Sequence, residues 1–152
     1  MPIEDPDWLA RSSKAVQQMY SYWRSKCDGD RLPSRGAIEP AEIKRFLPQI
    51  TIVEVVSDER RYVYRLVGTM EVEIRGRDPT GKSVGEGFYG ASAEASMASY
   101  HDVVARRALR LERREFTTPD GRYGREQVIL LPLSNDGAHV NMIIVYTHYM
   151  LH

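Results

Sequence analysis

Residues 65–83 read RLVGTMEVEIRGRDPTGKS, and the architecture of the chain turns on how they are interpreted. Arg65-Leu66-Val67 close an alternating strand. Gly68-Thr69 break it, and Thr69 is placed to N-cap a short helix over residues 70–75. The last eight residues, Gly76 to Ser83, satisfy the phosphate-loop spacing G-x-x-x-x-G-K-[ST]. A nucleotide site needs more than that spacing. A buried strand must lead in, backbone amides must converge on phosphate, and a helix must begin at the Lys-Ser pair. A second strand should end in an aspartate for Mg²⁺. Here the lead-in, Glu71-Val72-Glu73-Ile74-Arg75, is highly charged, and Pro79 removes one amide inside the loop. The following VGEGFYG, from Val84 to Gly90, is a poor helix former because of its glycines. The apolar run Ile129–Leu133 ends in Ser134-Asn135 instead of an aspartate. This context argues against an NTPase. It makes the stretch a structural corner in which Gly68, Thr69, Gly76, Asp78, Thr80 and Gly81 serve backbone geometry and Lys82 faces solvent.

Toward the N-terminus, Ile50–Val56 (ITIVEVV) is β-branched and reads as a strand. The polar link Ser57–Arg60 joins it to Arg61–Val67, where Tyr62, Tyr64 and Leu66 share one face, so the pair forms a hairpin. Before it, Pro40 starts a short helix and Pro48 ends it. Further back, Asp5-Pro6 opens an amphipathic helix whose stripe includes Leu9, Val16, Met19, Tyr20, Trp23 and Cys27, and Asp28-Gly29-Asp30 stops it. That stripe has two readings. It packs on its own domain, or Val16, Met19, Tyr20 and Trp23 meet a second subunit.

Toward the C-terminus, Ser92 is an N-cap for a longer helix running to about Leu109, with Met97, Tyr100, His101 and Val104 on one side. Three strands follow, over Leu111–Thr118, Tyr123–Leu133 and Val140–Tyr149. They are joined by the turns Pro119-Asp120-Gly121 and Asn135-Asp136-Gly137. The last strand is the most apolar and belongs in the sheet interior. Two hairpin-linked groups flanking a helical segment give an α+β fold: a five-stranded antiparallel sheet with helices on one face. Residues 1–48 form an N-terminal helical extension to a domain over 49–152.

The 152 residues, 42% hydrophobic and 28% charged, suit one globular domain. Lys+Arg and Asp+Glu are both 21, and this balance argues against nucleic-acid or membrane-surface partners, which demand a basic excess. The single cysteine, Cys27, forms no internal disulfide, and a reducing compartment is the simpler setting. The N-terminus lacks signal-peptide character, and no apolar run is long enough to span a bilayer. The expected location is the cytoplasm.

No catalytic or metal-binding constellation stands out. His101, His139, His148 and His152 make no paired ligand spacing on a helix face. The acid pairs Glu71/Glu73 and Glu112/Glu115 read as solvated faces, and Arg110, Arg113 and Arg114 as charges at a strand edge.

Several segments together resemble small PAS-domain proteins of alphaproteobacteria. They are Trp23, Leu32-Pro33-Ser34-Arg35, Ile38-Glu39-Pro40, Phe46-Leu47-Pro48, Tyr64-Arg65-Leu66-Val67-Gly68-Thr69 and Gly76-Arg77-Asp78-Pro79-Thr80-Gly81-Lys82. The resemblance implies strand order 2-1-5-4-3, a pocket between sheet and helices, and a non-catalytic sensor or adaptor in signalling. With no output domain in this sequence, the signal passes through an unknown protein partner or through self-association, with a homodimer expected. The resemblance also implies that Asp78 and Thr80 cap a short helix. The pocket candidates are Tyr64, Tyr100, His101, Met142, Tyr146 and His148, and the sequence names no ligand. Two alternatives stay open: a haem sensor using His101, and a small-molecule enzyme working in the sheet–helix cleft.

Overall fold

The computed structural model describes residues 7–87 and 93–151. The helix start at Asp5-Pro6, the cap at Ser92, Gly90 and His152 lie outside the described residues. The β-branched and alternating runs pair as antiparallel strands: β1 (Ile50–Val55), β2 (Tyr62–Val67), β3 (Arg110–Thr117), β4 (Tyr123–Leu133) and β5 (Met142–Leu151). Their spatial order is β2-β1-β5-β4-β3, with the most apolar strand, β5, at the centre. The Pro119-Asp120-Gly121 turn sets the β3–β4 register symmetrically about residue 120, so Arg114 lies opposite Glu126 and Glu112 opposite Val128.

The N-terminal stripe forms two helices, α1 (Trp8–Arg11) and α2 (Lys14–Lys26), where one was expected. The break has a local cause. The Ser12 hydroxyl bonds back to Trp8 O at 2.6 Å, and Ser13 caps α2 by accepting from Val16 N at 3.1 Å. The stripe packs on its own chain. Val16 and Met19 are fully buried, and Trp23, 6% exposed, donates its indole N–H to Pro132 O at 2.9 Å. Of the four residues considered for a subunit interface, only Tyr20 keeps partial exposure.

Pro40 opens a 3₁₀ segment, Pro40–Gln49, that runs through Pro48 instead of stopping before it. The bend falls earlier, at Ile43 (φ −121°, ψ 23°). Helix α3 (Thr69–Arg75) begins at Thr69, and its N-cap is Gly68 with no side-chain bond, not Thr69. Glycine is required there by proximity: a Cβ would stand 2.3 Å from Leu47 O and 2.4 Å from Pro48 O. A single turn, α4 (Val84–Gly87), forms despite its glycines. The long helix α5 (Ala93–Arg106) stops short of Leu109, with Arg107 at φ 53°.

The phosphate-loop letters fold as a strand-edge turn. Gly76 terminates α3 in the left-handed region, at φ 78°. Asp78 caps no helix; its Oδ1 accepts from Thr80 N at 3.0 Å and Thr80 Oγ1 at 2.6 Å, closing an Asx-type turn. Gly81 N donates to Tyr64 O at 2.7 Å, and Lys82 N to Pro79 O at 2.9 Å. The amides of Thr80, Gly81 and Lys82 are therefore already bonded instead of converging on an anion, and Lys82 is exposed.

The sheet is covered on both sides. α2 and the 3₁₀ segment lie over the face carrying Gln127, Ile129, Leu131, Ile144 and Tyr146. Ser13 N bonds Gln127 Oε1 at 2.8 Å, and the Phe46 ring meets Tyr146 edge-on at 5.4 Å. α3 and α5 lie over the opposite face, which carries Thr51, Tyr64, Glu112, Arg114, Glu126, Val128, Val145, Thr147 and Tyr149.

Candidate functional site

Between α3, α5 and the sheet lies a cavity of about 70 Å³, lined by Thr51, Glu71, Ile74, Arg75, Tyr100, Arg114, Glu115, Phe116, Glu126, Val128, Val145, Thr147 and Tyr149. Its polarity contradicts the sequence expectation for several residues. Glu71, on the first turn of α3, is 3% exposed and accepts a hydrogen bond from Tyr149. Burial pushes its carboxyl up to about 7, against the lowering effect of that bond and of Arg75. The Tyr149 phenol is pushed far above its ordinary range by burial and by the neighbouring carboxylate. Arg75, one turn along α3, stacks 4.9 Å from the Tyr64 ring centroid and donates to Tyr64 Oη at 3.3 Å.

On the β3 side, Glu112 is also 3% exposed. It accepts from Ser99 Oγ and Arg110 Nε, each at 2.5 Å, and pairs with Arg114 Nη2 at 2.8 Å. Burial raises its carboxyl, but Arg114, Ser99 and Arg110 outweigh burial and leave it below the usual range. The network continues outward to Asp102, which meets Arg110 at 3.0 Å and Arg106 at 2.6 Å. Glu126 lies 3.9 Å from Arg114 Nε, beyond hydrogen-bond reach, and burial raises its carboxyl. Two buried atoms have no hydrogen-bond partner among the described residues, Thr51 Oγ1 and Arg114 Nε, and both residues line this cavity.

The pocket residues expected from sequence do not converge. Tyr100 lines the cavity, and Tyr64 reaches it through Arg75. Met142, Tyr146 and His148 share the opposite sheet face, where Tyr146 and His148 border a separate open groove with Arg45, Phe46 and Gln49. His101 faces the outer end of β2. Its Nδ1 lies 2.5 Å from Tyr62 Oη and its Nε2 3.2 Å from Arg61 Nη1. The arginine only donates, so Nε2 accepts and Nδ1 carries the proton. Neither nitrogen is free to ligate a haem iron.

Sequence reasoning missed Thr51, Glu71, Glu112, Arg114, Glu126, Thr147 and Tyr149. A usable signal existed for the β3–β4 pair. Symmetry about the Pro119-Asp120-Gly121 turn places Arg114 across from Glu126, and the parity of Val128 and Leu130 puts both on a buried face.

Among the described residues no group of three or more His, Cys, Asp or Glu side chains is placed to hold a metal ion, and no helix is long and apolar enough to cross a membrane. No curated protein matches the chain by sequence. Among solved structures, a light-oxygen-voltage domain studied with a flavin analogue superposes with a TM-score of 0.53 at 9% identity, over 72% of this chain and 82% of that one. The light-oxygen-voltage protein of Rhodobacter sphaeroides gives 0.51 at 10% identity, over 72% and 66%. An RNA-binding light-oxygen-voltage receptor gives 0.51 at 17% identity over 76% of this chain and 35% of that one, so this chain spans about a third of that receptor. At these identities the likeness is one of fold. The family profile described as PAS domain matches residues 11–146, a span that takes in α2, all of β1–β4 and, of the cavity's β5 residues, Val145. By that match and by its strand order, the chain belongs to the PAS-domain family.

Proposed function

We propose that the chain is a non-catalytic cytoplasmic signalling module that senses a small polar molecule in the cavity between its sheet and α3/α5, and that passes the signal on through protein contact as a homodimer. One observation carries this reading: two buried polar atoms without partners, Thr51 Oγ1 and Arg114 Nε, belong to residues lining one enclosed space. Leaving a buried polar atom unbonded costs about 1–3 kcal/mol, so a guest that bonds either of them is favoured.

Two larger groups do not fit. Sites for cofactors and drug-sized ligands span roughly 300–1,000 Å³. A cavity of about 70 Å³ accommodates neither a flavin nor a haem. The enzyme alternative gains no support from a space of this size, in which Glu71 is bonded to the Tyr149 phenol and Arg114 is paired with Glu112.

Network geometry supports a route out. A guest at Arg114 perturbs a guanidinium that is bonded through Glu112 and Arg110 to Asp102 on α5. The test is a thermal-shift comparison using the low-molecular-weight fraction of an extract from the protein's own host. Wild type is expected to melt higher by a few degrees, whereas Thr51→Met, which fills the cavity, is expected not to respond. Equal responses from the two proteins, or none from either, would count against sensing at this site.

A further inference from the structure

On the other face of the sheet, an open groove of about 560 Å³ runs between α2, the 3₁₀ segment, the start of α3 and the second half of β5. That volume falls in the range of roughly 300–1,000 Å³ that takes a small organic molecule. One of its residues carries an unsatisfied group. Tyr146 is 1% exposed, and its phenol makes no hydrogen bond among the described residues. Burial pushes that phenol up to about 12, with Arg45 close enough to act against the rise. At neutral pH the hydroxyl therefore keeps its proton and can donate it. His148, two residues along the same strand face and half-buried, also makes no hydrogen bond among the described residues.

The formal charge at the groove has one sign. Arg45 lays its guanidinium over the Phe46 ring, 4.7 Å from the centroid, and donates to Gln18 Oε1 at 2.9 Å. Among the described residues no carboxylate pairs with it, and no Asp or Glu lines the groove. Glu42, the one acid of the 3₁₀ segment, is held by Lys26 at 3.1 Å and by the Tyr22 hydroxyl at 2.8 Å. Glu71 belongs to the cavity on the far face, where it accepts from Tyr149. A guanidinium without a counter-ion is a ready partner for a carboxylate, which it can meet with two parallel hydrogen bonds. The neighbouring walls are apolar: Phe46, Ala15 and Met70, the last left 37% exposed at the rim.

We infer that this groove binds a small aromatic carboxylate, whose acid group pairs with Arg45, whose ring lies against Met70 and Ala15, and which accepts a hydrogen bond from the Tyr146 phenol. Phe46 sets the spacing. It carries Arg45 on its face and meets the Tyr146 ring edge-on at 5.4 Å. The two contacts in series keep guanidinium and phenol within the length of a one-ring acid and its hydrogen bonds. A planar ring suits a slot with aromatic and thioether walls. Because the lining comes from α2, the 3₁₀ segment, α3 and β5, a guest ties the N-terminal helices to the sheet. The site lies on the face opposite the cavity and does not rest on the sensory reading of it.

The experiment is an NMR titration of the full chain, ¹³C-labelled at its methionine methyl groups, with benzoate, benzamide and acetate. Benzoate and benzamide share a ring and differ in charge, and acetate keeps the charge without the ring. The Met70 methyl signal is assigned by its loss in Met70→Leu. Benzoate is expected to shift it saturably, with a dissociation constant on the order of 0.1–1 mM for so small a ligand. Benzamide and acetate are expected to bind at least about fivefold more weakly. Arg45→Gln should lose about tenfold in benzoate affinity. Tyr146→Phe keeps the ring against Phe46 and removes an unbonded hydroxyl. It should melt no lower than wild type and yet bind benzoate about fivefold more weakly. Benzamide binding as tightly as benzoate overturns the acid, and acetate binding as tightly overturns the aromatic body. Benzoate affinity unchanged in both variants, or no saturable Met70 shift, overturns the site. A Met70 shift that follows protein concentration with no ligand added would place a second copy in the groove and likewise overturns the proposal.

Discussion

Glu71 is a carboxyl held where its charge is disfavoured. Burial lifts its pKa from the ordinary 4.5 to about 7, so the folded chain keeps a proton that the unfolded chain releases. Stability therefore falls as pH rises from about 4.5 to about 7 and stays at the lower level above that. The loss from this one group is about 3 kcal/mol. Glu71→Gln keeps an acceptor for Tyr149 and removes the titration. The variant is expected to match wild type near pH 4 and to exceed it at pH 8 by up to that amount, measured by urea unfolding across the pH range. A wild-type slope that persists in Glu71→Gln would assign the effect to other groups, with Glu126 the next candidate.

At the scale of the element, the corner between β2 and α3 is fixed by backbone proximity. Gly68 packs against the carbonyls of Leu47 and Pro48, so Gly68→Ala has to move either α3 or the 3₁₀ segment. The expected cost is about 1–3 kcal/mol, read as a fall in melting temperature of roughly 3–10 °C. An unchanged melting temperature would show that the two segments separate freely. The turn after α3 gives a second expectation. Because its amides are bonded to β2 and within the turn, neither wild type nor Lys82→Ala should bind Mg²⁺-ATP by calorimetry, and saturable binding lost in the variant would overturn the structural reading. This corner was legible in the sequence because glycine, proline and aspartate act through local geometry. The hairpin neighbours and the interior place of the last strand were legible from turns and apolarity, whereas the full order β2-β1-β5-β4-β3 came from the family resemblance. The cavity was not. Period-two alternation tells faces apart only when one of them is wet. On β5 both faces are dry: Ile144 and Tyr146 lie under the N-terminal helices, and Val145 and Thr147 lie under α3 and α5. The candidates Met142, Tyr146 and His148 therefore fell on the face opposite that cavity. Glu71 and Glu112 were missed for the converse reason, since acidic letters suggest solvent until tertiary neighbours supply Tyr149, Ser99 and two arginines.

For the whole molecule, the N-terminal helices act as a second wall of the core. Trp23 fills that wall and anchors it to β4 through Pro132 O. Trp23→Ala is expected to cost about 3–5 kcal/mol and to leave the sedimentation coefficient of the folded fraction unchanged. A stable variant that turns from dimer to monomer would show instead that Trp23 serves a subunit interface. The two sides of the sheet also differ in what they leave for assembly. Along the middle of β2 the outer backbone groups are taken up by the following turn: Tyr64 N donates to Lys82 O at 3.0 Å, Gly81 N returns the bond to Tyr64 O, and Val63 bridges Ser83. At the other side, β3 ends the sheet with no described strand beyond it. In the language of polymer chemistry, a unit capped at β2 would have at most a functionality of one. Strand addition at β3, were copies to make it, would consume that side of each and terminate at a closed pair, whereas growth into a fibre requires two reactive sides per unit. The letters that spell a phosphate loop thus occupy the side at which a chain of strands would otherwise continue.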